Sequence, residues 1–437
     1  MRITDVISFR TTHVILAMIA FASQLASPAK AMPLQATFAR DVSSARDLLS
    51  DMEPMKNDLA RYKYLSDQLP RLSEKQWIVG QQLAATLENQ LGLYDEAVHD
   101  FPFDNRARVE IEPVKLPGPA SWKAEDAADV IARLATDRRL VMINEVHHDA
   151  HTRELTLELL PRLRKLGFNY FAAEALDDKD TELMHRGYPV MGGSPYLNEP
   201  VYGEIVREAI RLGFIVVAYE SPGSSTAERE QGQADNLYRR VFARDPKARL
   251  FVHSGYAHID KATGNFGGDI VPMAVHLKRL SGIEPLSIDQ SQLRDIGGRG
   301  NNEAYRQLTV DFHPEGPSVL VSRHDGTVWS TDKRLHDVSV LLPPMDHRRR
   351  PGWLTLGGKR ESRLITTAMC DKKVPCLIEA RYAEETDNAT PADRVALMVP
   401  DSVSSLYLGP GDYHLTAIDV DGRLLSERKL HIDATTP

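Results

Sequence analysis

An α/β fold, a mostly parallel sheet flanked by helices, follows from three observations on this chain. Short apolar runs at Leu140 to Ile143, Phe168 to Ala173, Phe214 to Ala218 and Leu250 to Val252 have the length and composition of buried parallel strands. Helical periodicity fills the intervals: Leu155, Leu159, Leu163 and Leu166 recur at helical spacing after the first run, and a helix from Val201 to Leu212 precedes the third. Titratable residues gather where the runs end, at Asn144-Glu145-Val146-His147-His148, Glu174, Glu220 and His253. The first two runs are read as adjacent parallel strands, each delivering a carboxylate at its carboxyl end, and in an open α/β sheet that edge is where ligands bind.

The 437 residues are 26% charged and 42% hydrophobic, ordinary for a globular chain with room for two or three domains. A net charge of -8, without any basic stripe interleaved with aromatics, argues against a nucleic-acid partner. The chain opens as a secretory signal over residues 1–31. Arg2 and Arg10 flank the apolar run Val14 to Ala22, and Ala29-Lys30-Ala31 fits a small-residue cleavage site. The run is too short to span a bilayer. The mature protein is therefore expected to start at Met32 and to be exported, periplasmic or secreted, with no stable membrane span. An oxidising compartment allows Cys370 and Cys376 to pair; two buried thiols are the alternative.

Residues 32–110 read as a helical region. Leu48, Leu49 and Met52 fit one apolar face, and Ser73 with Gln76 forms a capping box before Trp77 to Leu91. Leu91 to Ala97 resembles the second-helix start of a tetratricopeptide repeat. One partial copy cannot bury its faces, so a helical hairpin packed on the main domain is expected. Prolines 102, 113, 117 and 119 mark a linker. The α/β domain then spans 121–345. Ser121 is read as the cap of a helix to Ala135, with Ala127, Val130 and Leu134 facing inward.

Between Met184 and Val201, glycines and prolines break every regular pattern. A loop of that length inside an α/β domain is usually functional, often a lid. Arg229, Gln233, Asn236 and Arg240 share one face of a helix from Thr226 to Ala243, and such a polar stripe is usually a solvated face. Arg294 to Asn302 is a glycine-rich, polar loop. Three prolines and three arginines at 343–352 form a second linker. From 353 to 437, short strands separated by Gly409-Pro410-Gly411-Asp412 and Asp421-Gly422 point to a small β-sandwich.

Carboxylates and imidazoles gathered at one edge shift each other's pKa values and divide acid and base roles. The same set, His147, His258 and Glu174, could ligate zinc or manganese, although no HExxH helix or CxxC pair is present. For each residue alone, capping a helix or bridging two loops is the plainer role.

From about residue 121 to 345 the chain resembles the superfamily that contains the erythromycin esterase-like hydrolases, the ChaN-like haem-uptake proteins and the TraB and Tiki proteins. The esterases end a strand in Gly-Glu-x-x-His, where this chain has Asn144-Glu145-Val146-His147-His148. The second strand's glutamate is matched by Glu174. Arg229 with Ala234-Asp235-Asn236 matches a helical Arg and Ala-x-Asn element, and Gly255-Tyr256-Ala257-His258 matches a Gly-x-x-His. The resemblance implies a hydrolase acting on a small-molecule or peptide substrate, with Glu145, His148, Glu174, Arg229 and His258 as its site. The alternative it implies is a haem- or metal-binding uptake protein using the same histidines. Esterase spacing selects His148 as the working ring; the Gly-x-x-His spacing of the Tiki branch selects His147. We take His148, and expect only one of the two rings to face the site, because successive side chains leaving a strand diverge. The N-terminal helices and C-terminal sandwich are left as surfaces for a protein partner.

Overall fold

The computed structural model describes residues 47–102, 116–297 and 303–434. The signal segment and the Met32 start lie outside them. Among the described residues eight strands form the main sheet: β1 Trp122–Asp126, β2 Leu140–Glu145, β3 Tyr170–Ala173, β4 Ile215–Ala218, β5 Leu250–Gly255, β6 Leu286–Leu293, β7 Ser318–Ser322 and β8 Val338–Leu341. Their spatial order is β1-β7-β8-β6-β2-β5-β3-β4. β4, β3, β5, β2, β6 and β8 run parallel, while β7 and β1 are antiparallel additions at one side. This is the α/β fold expected from the apolar runs.

Alternation along β2 divides the core. Val141 and Ile143 join one buried cluster with Leu155, Leu159 and Leu163 of the Glu154–Lys165 helix and with Val201 and Ile205 of the Pro200–Arg211 helix. Leu140 and Met142 join the opposite cluster, with Ala234 and Leu237 of the Thr226–Leu237 helix and Leu277 of the Met273–Ser281 helix. A strand covered by helices on both faces has no polar side, which is why these runs read as continuous apolar segments.

Two local expectations are corrected. β2 and β3 are consecutive in sequence but not neighbours in space, because β5 pairs with both. A helical crossover can leave a slot that a later strand fills, and here that strand carries His253, Gly255 and the turn to His258. Trp122 to Asp126 is the edge strand β1 paired with β7, and the helix begins after it at Ala127, capped by Asp126, whose side chain accepts from Asp129 N. Pairing at the sheet edge overrides the local helical signal. Leu134 accordingly stays 37% exposed, whereas Ala127 and Val130 are buried.

The C-terminal strands are β9 Glu361–Thr366, β10 Cys376–Tyr382, β11 Asp393–Leu397, β12 Val403–Leu408, β13 Gly411–Asp419 and β14 Leu424–Ile432. They form a four-stranded antiparallel sheet, β11-β10-β13-β14, and a two-stranded one, β12-β9. Leu377, Ile378, Val395 and Leu415 of the first share a buried cluster with Ile365, Leu406 and Leu408 of the second. Cys370 and Cys376 are disulfide-bonded at the edge of this module.

The N-terminal helices, Asp58–Gln68, Glu74–Gln90 and Tyr94–Asp100, include the expected capping box at Ser73 and Gln76. They bridge the other two parts. Leu59, Leu91 and Leu93 belong to the C-terminal cluster, while Tyr94 belongs to the main core. The segment 343–352 is not a free linker either. Arg350 is buried, with Nη1 donating to Gly92 O at 3.0 Å and Nη2 paired with Asp393.

Candidate active site

The carboxyl ends of β2, β5 and β3 deliver the site. Glu145, the last residue of β2, is buried, and its Oε1 lies 2.8 Å from His147 Nδ1. Its Oε2 accepts from Arg153 Nε at 2.5 Å. Arg153 is fully buried at the start of the Glu154–Lys165 helix; its Nη1 donates to Glu199 Oε2 at 2.8 Å and its Nη2 to His147 O at 3.2 Å. Glu199 also caps the Pro200–Arg211 helix by accepting from Val201 N and Tyr202 N, and takes a fourth bond from Tyr94 Oη at 2.8 Å. Burial pushes the Glu145 carboxyl up, but the Arg153 charge and the bond to His147 outweigh it and hold the group well below its ordinary value.

Glu174, just past β3, is the second anchor. Its Oε2 accepts from Gly255 N at 2.6 Å and its Oε1 from Arg229 Nη2 at 2.5 Å. Arg229 also binds Glu220, through Nε at 3.0 Å and Nη2 at 2.5 Å. His258 Nδ1 lies 2.6 Å from Glu230 Oε1, and its Nε2 lies 3.6 Å from Glu174 Oε1 and 3.1 Å from Arg229 Nη1. Burial lowers the His258 pKa, but Glu230 and Glu174 together outweigh it and raise it to about 10. Burial likewise raises Glu174, and the His258 and Arg229 charges reverse this and keep it ionised.

Gly255 joins the two halves. A Cβ built there would lie 2.4 Å from His147 Cε1, 2.6 Å from His147 Nε2 and 3.2 Å from Glu174 Oε2. Only a residue without a side chain lets the imidazole edge rest against β5 beside Glu174. Tyr196 tilts over the His147 ring at 4.3 Å and Tyr256 meets it edge-on at 4.9 Å. Tyr256 sits at φ 44, a left-handed conformation uncommon for a tyrosine and of the kind found at functional sites.

The geometry brings Glu145, Glu174, Arg229 and His258 together, and of the two adjacent histidines it brings in His147 and not the expected His148. His147 occupies the site with its side chain 14% exposed. His148 points away and stacks on Phe101 at 3.6 Å, and burial with the nearby Arg294 and His147 holds its pKa well below the ordinary value. The two rings diverge as residues leaving a strand must. His253 is fully buried behind the site, with Nδ1 on Thr156 Oγ1 at 3.0 Å.

The donor set of His147, His258 and Glu174 does not fit a metal ion. Glu174 and His258 are taken up by Gly255 N, Glu230 and Arg229, and the Arg229 guanidinium stands beside both, where a cation would repel it. Among the described residues no group of three or more His, Cys, Asp or Glu is arranged to hold one.

The polar stripe of the Thr226–Leu237 helix is not a solvated face. Arg229 and Gln233 bind Glu220, and Asn236 Nδ2 donates to Tyr219 O and Glu220 O. Arg240, in the π-helical turn that follows, donates to Ala218 O. Together they fix the chain leaving β4. Arg153, Glu199, Glu230 and Tyr196 escaped the sequence reading. Glu199 carries a local signal, an acceptor immediately before a proline at the first helical position. Arg153 and Glu230 sit beside helical residues of ordinary pattern and carry none.

No family model and no curated protein matches this chain. Among solved structures, the type III effector HopBA1 is 14% identical over 53% of this chain and 99% of its own, with a TM-score of 0.31. RRSP, a MARTX toxin effector domain from Vibrio vulnificus CMCP6, is 14% identical over 58% of this chain, with a TM-score of 0.27. This chain covers 46% of the RRSP chain.

Proposed function

We propose that the protein is an exported hydrolase of the erythromycin esterase, ChaN and Tiki type, acting on an ester or amide bond with His147 as general base. The observation that carries this reading is the 2.8 Å contact between Glu145 and His147 Nδ1. It places the proton on Nδ1 and leaves Nε2 as the lone pair able to take a proton from water. Arg153 keeps Glu145 ionised and in register, so the carboxylate stabilises the imidazolium that forms. Water adds to the carbonyl carbon, and the tetrahedral oxyanion is placed beside the Arg229 guanidinium. His147 then returns the proton to the leaving group as the C–O or C–N bond breaks. Glu174 and His258 position Arg229 and the β5 turn. The Cys370–Cys376 disulfide supports the oxidising compartment that export implies. No helix of the described residues is long and apolar enough to cross a membrane.

The test is turnover of a panel of chromogenic esters and anilides by the purified chain in H2(18O). Catalysed hydrolysis that places one labelled oxygen in the acid product is expected. Absence of turnover across the panel, or a Soret band in the protein's absorption spectrum, favours the binding-protein alternative.

A further inference from the structure

Residues 187–199 pass over the site between β3 and the Pro200–Arg211 helix, with Tyr196 and Leu197 packed into the core of the α/β domain. Tyr196, 6% exposed, lies against the His147 ring. The outer edge of the segment is fastened to the turn between β10 and β11 of the C-terminal module. Val190 forms an antiparallel bridge with Ala389, Met191 N donates to Asn388 O at 2.8 Å, and Thr390 N donates to Pro189 O at 3.0 Å. Two side-chain pins add to these. Thr390 Oγ1 donates to Leu197 O at 2.7 Å, and Tyr188 Oη lies 3.3 Å from Thr386 Oγ1. On the inner side, Gln90 Nε2 of the N-terminal helices donates to Pro195 O at 2.8 Å. Gly187 and Gly192 have φ 88 and 94 with nothing within 4 Å of a built Cβ, so conformation and not crowding requires glycine there.

Two main-chain bonds and two side-chain pins make the C-terminal module a fastening point for the outer edge of the strap. We propose that Tyr196 is the specificity-determining wall of the His147 site, and that the C-terminal module is its positioning element, acting through the 187–199 strap. The substrate consequence rests on His147 being the base; the positioning consequence does not. The ring sets the width of the space beside the imidazole, so it selects against long or branched acyl groups. The C-terminal module, which supplies no residue of its own to the chemistry, governs the site by where it holds that ring.

The experiment reads two signals. Carbethoxylation of His147 by diethylpyrocarbonate, followed by peptide mass spectrometry, reports how well the ring is covered, independently of any activity. The ratio of kcat/KM for p-nitrophenyl octanoate and p-nitrophenyl acetate reports selectivity. Tyr196→Ala should label several-fold faster and shift the ratio toward octanoate, while Tyr196→Phe matches the native chain. Tyr188→Phe/Thr390→Val cuts both pins without touching the site and should also label several-fold faster; Thr390→Ser is the folding control and should not. Faster labelling in Tyr196→Ala alone overturns the role of the C-terminal module. Unchanged labelling in both overturns the proposal entirely. If the native chain turns over nothing in the panel, the hydrolase reading fails and the labelling still decides the strap.

Discussion

His258 is held between Glu230 and Glu174, and that position gives the fold a pH dependence of defined sign. The ring binds its proton more tightly in the folded chain, with a pKa near 10, than in the unfolded chain near 6.5. The stability this contributes is complete below the lower value and disappears as pH rises through the upper one. Chemical denaturation at pH 7 and pH 10 should show a loss on going alkaline, and Glu230→Gln should flatten that loss. An identical slope in the variant would remove His258 from the account. The two adjacent histidines show what was legible at this scale. Strand geometry in the sequence says that His147 and His148 must diverge, but which ring turns inward depends on Gly255 and Phe101, and Phe101 lies 47 positions before His148. Arg153 was invisible for the same reason, because its value comes from Glu145 and Glu199 meeting it in space.

Among elements, the end of β5 has the least freedom. A methyl group at Gly255 would meet the His147 ring at 2.4 Å, so Gly255→Ala must displace the imidazole, the strand end or both. We expect a stability loss of about 1–3 kcal/mol from overpacking and a fall in kcat/KM of about 100-fold, the usual cost of misplacing a reacting group by about 1 Å. Thermal unfolding with parallel kinetics checks both; native activity in the variant would separate His147 from Gly255. The buried strands were legible because each is apolar on both faces. β1 was not, since Trp122 to Asp126 pairs only with β7, almost 200 residues later. The insertion of β5 between β2 and β3 also left no local trace, although it is what brings Gly255 and His258 between the two carboxylates.

Across the whole molecule, buried arginines tie the three parts into one structure. Arg394, 1% exposed, donates to Asp58 Oδ2 of the N-terminal helices at 3.0 Å and lies 3.4 Å from Glu379 Oε1 of β10. Replacing it by methionine removes the buried cation that Asp58 and Glu379 share and leaves them with Arg61 and Arg381, at a cost of about 1.5–3 kcal/mol, the scale of a lost charged hydrogen bond. Arg394→Met should therefore lower the denaturation midpoint and expose the 58–100 helices to protease before the α/β domain, with a native midpoint contradicting this. Trypsin should spare the buried Arg350 of the native chain. We propose His147, held by Glu145, as the working base. The most direct test of that role is kcat/KM on the best ester of the panel for His147→Ala and His148→Ala. A loss of about 100-fold or more is expected in the first, the scale of general-base catalysis, and near-native turnover with reduced stability in the second. Loss in His148→Ala together with native turnover in His147→Ala would contradict that role.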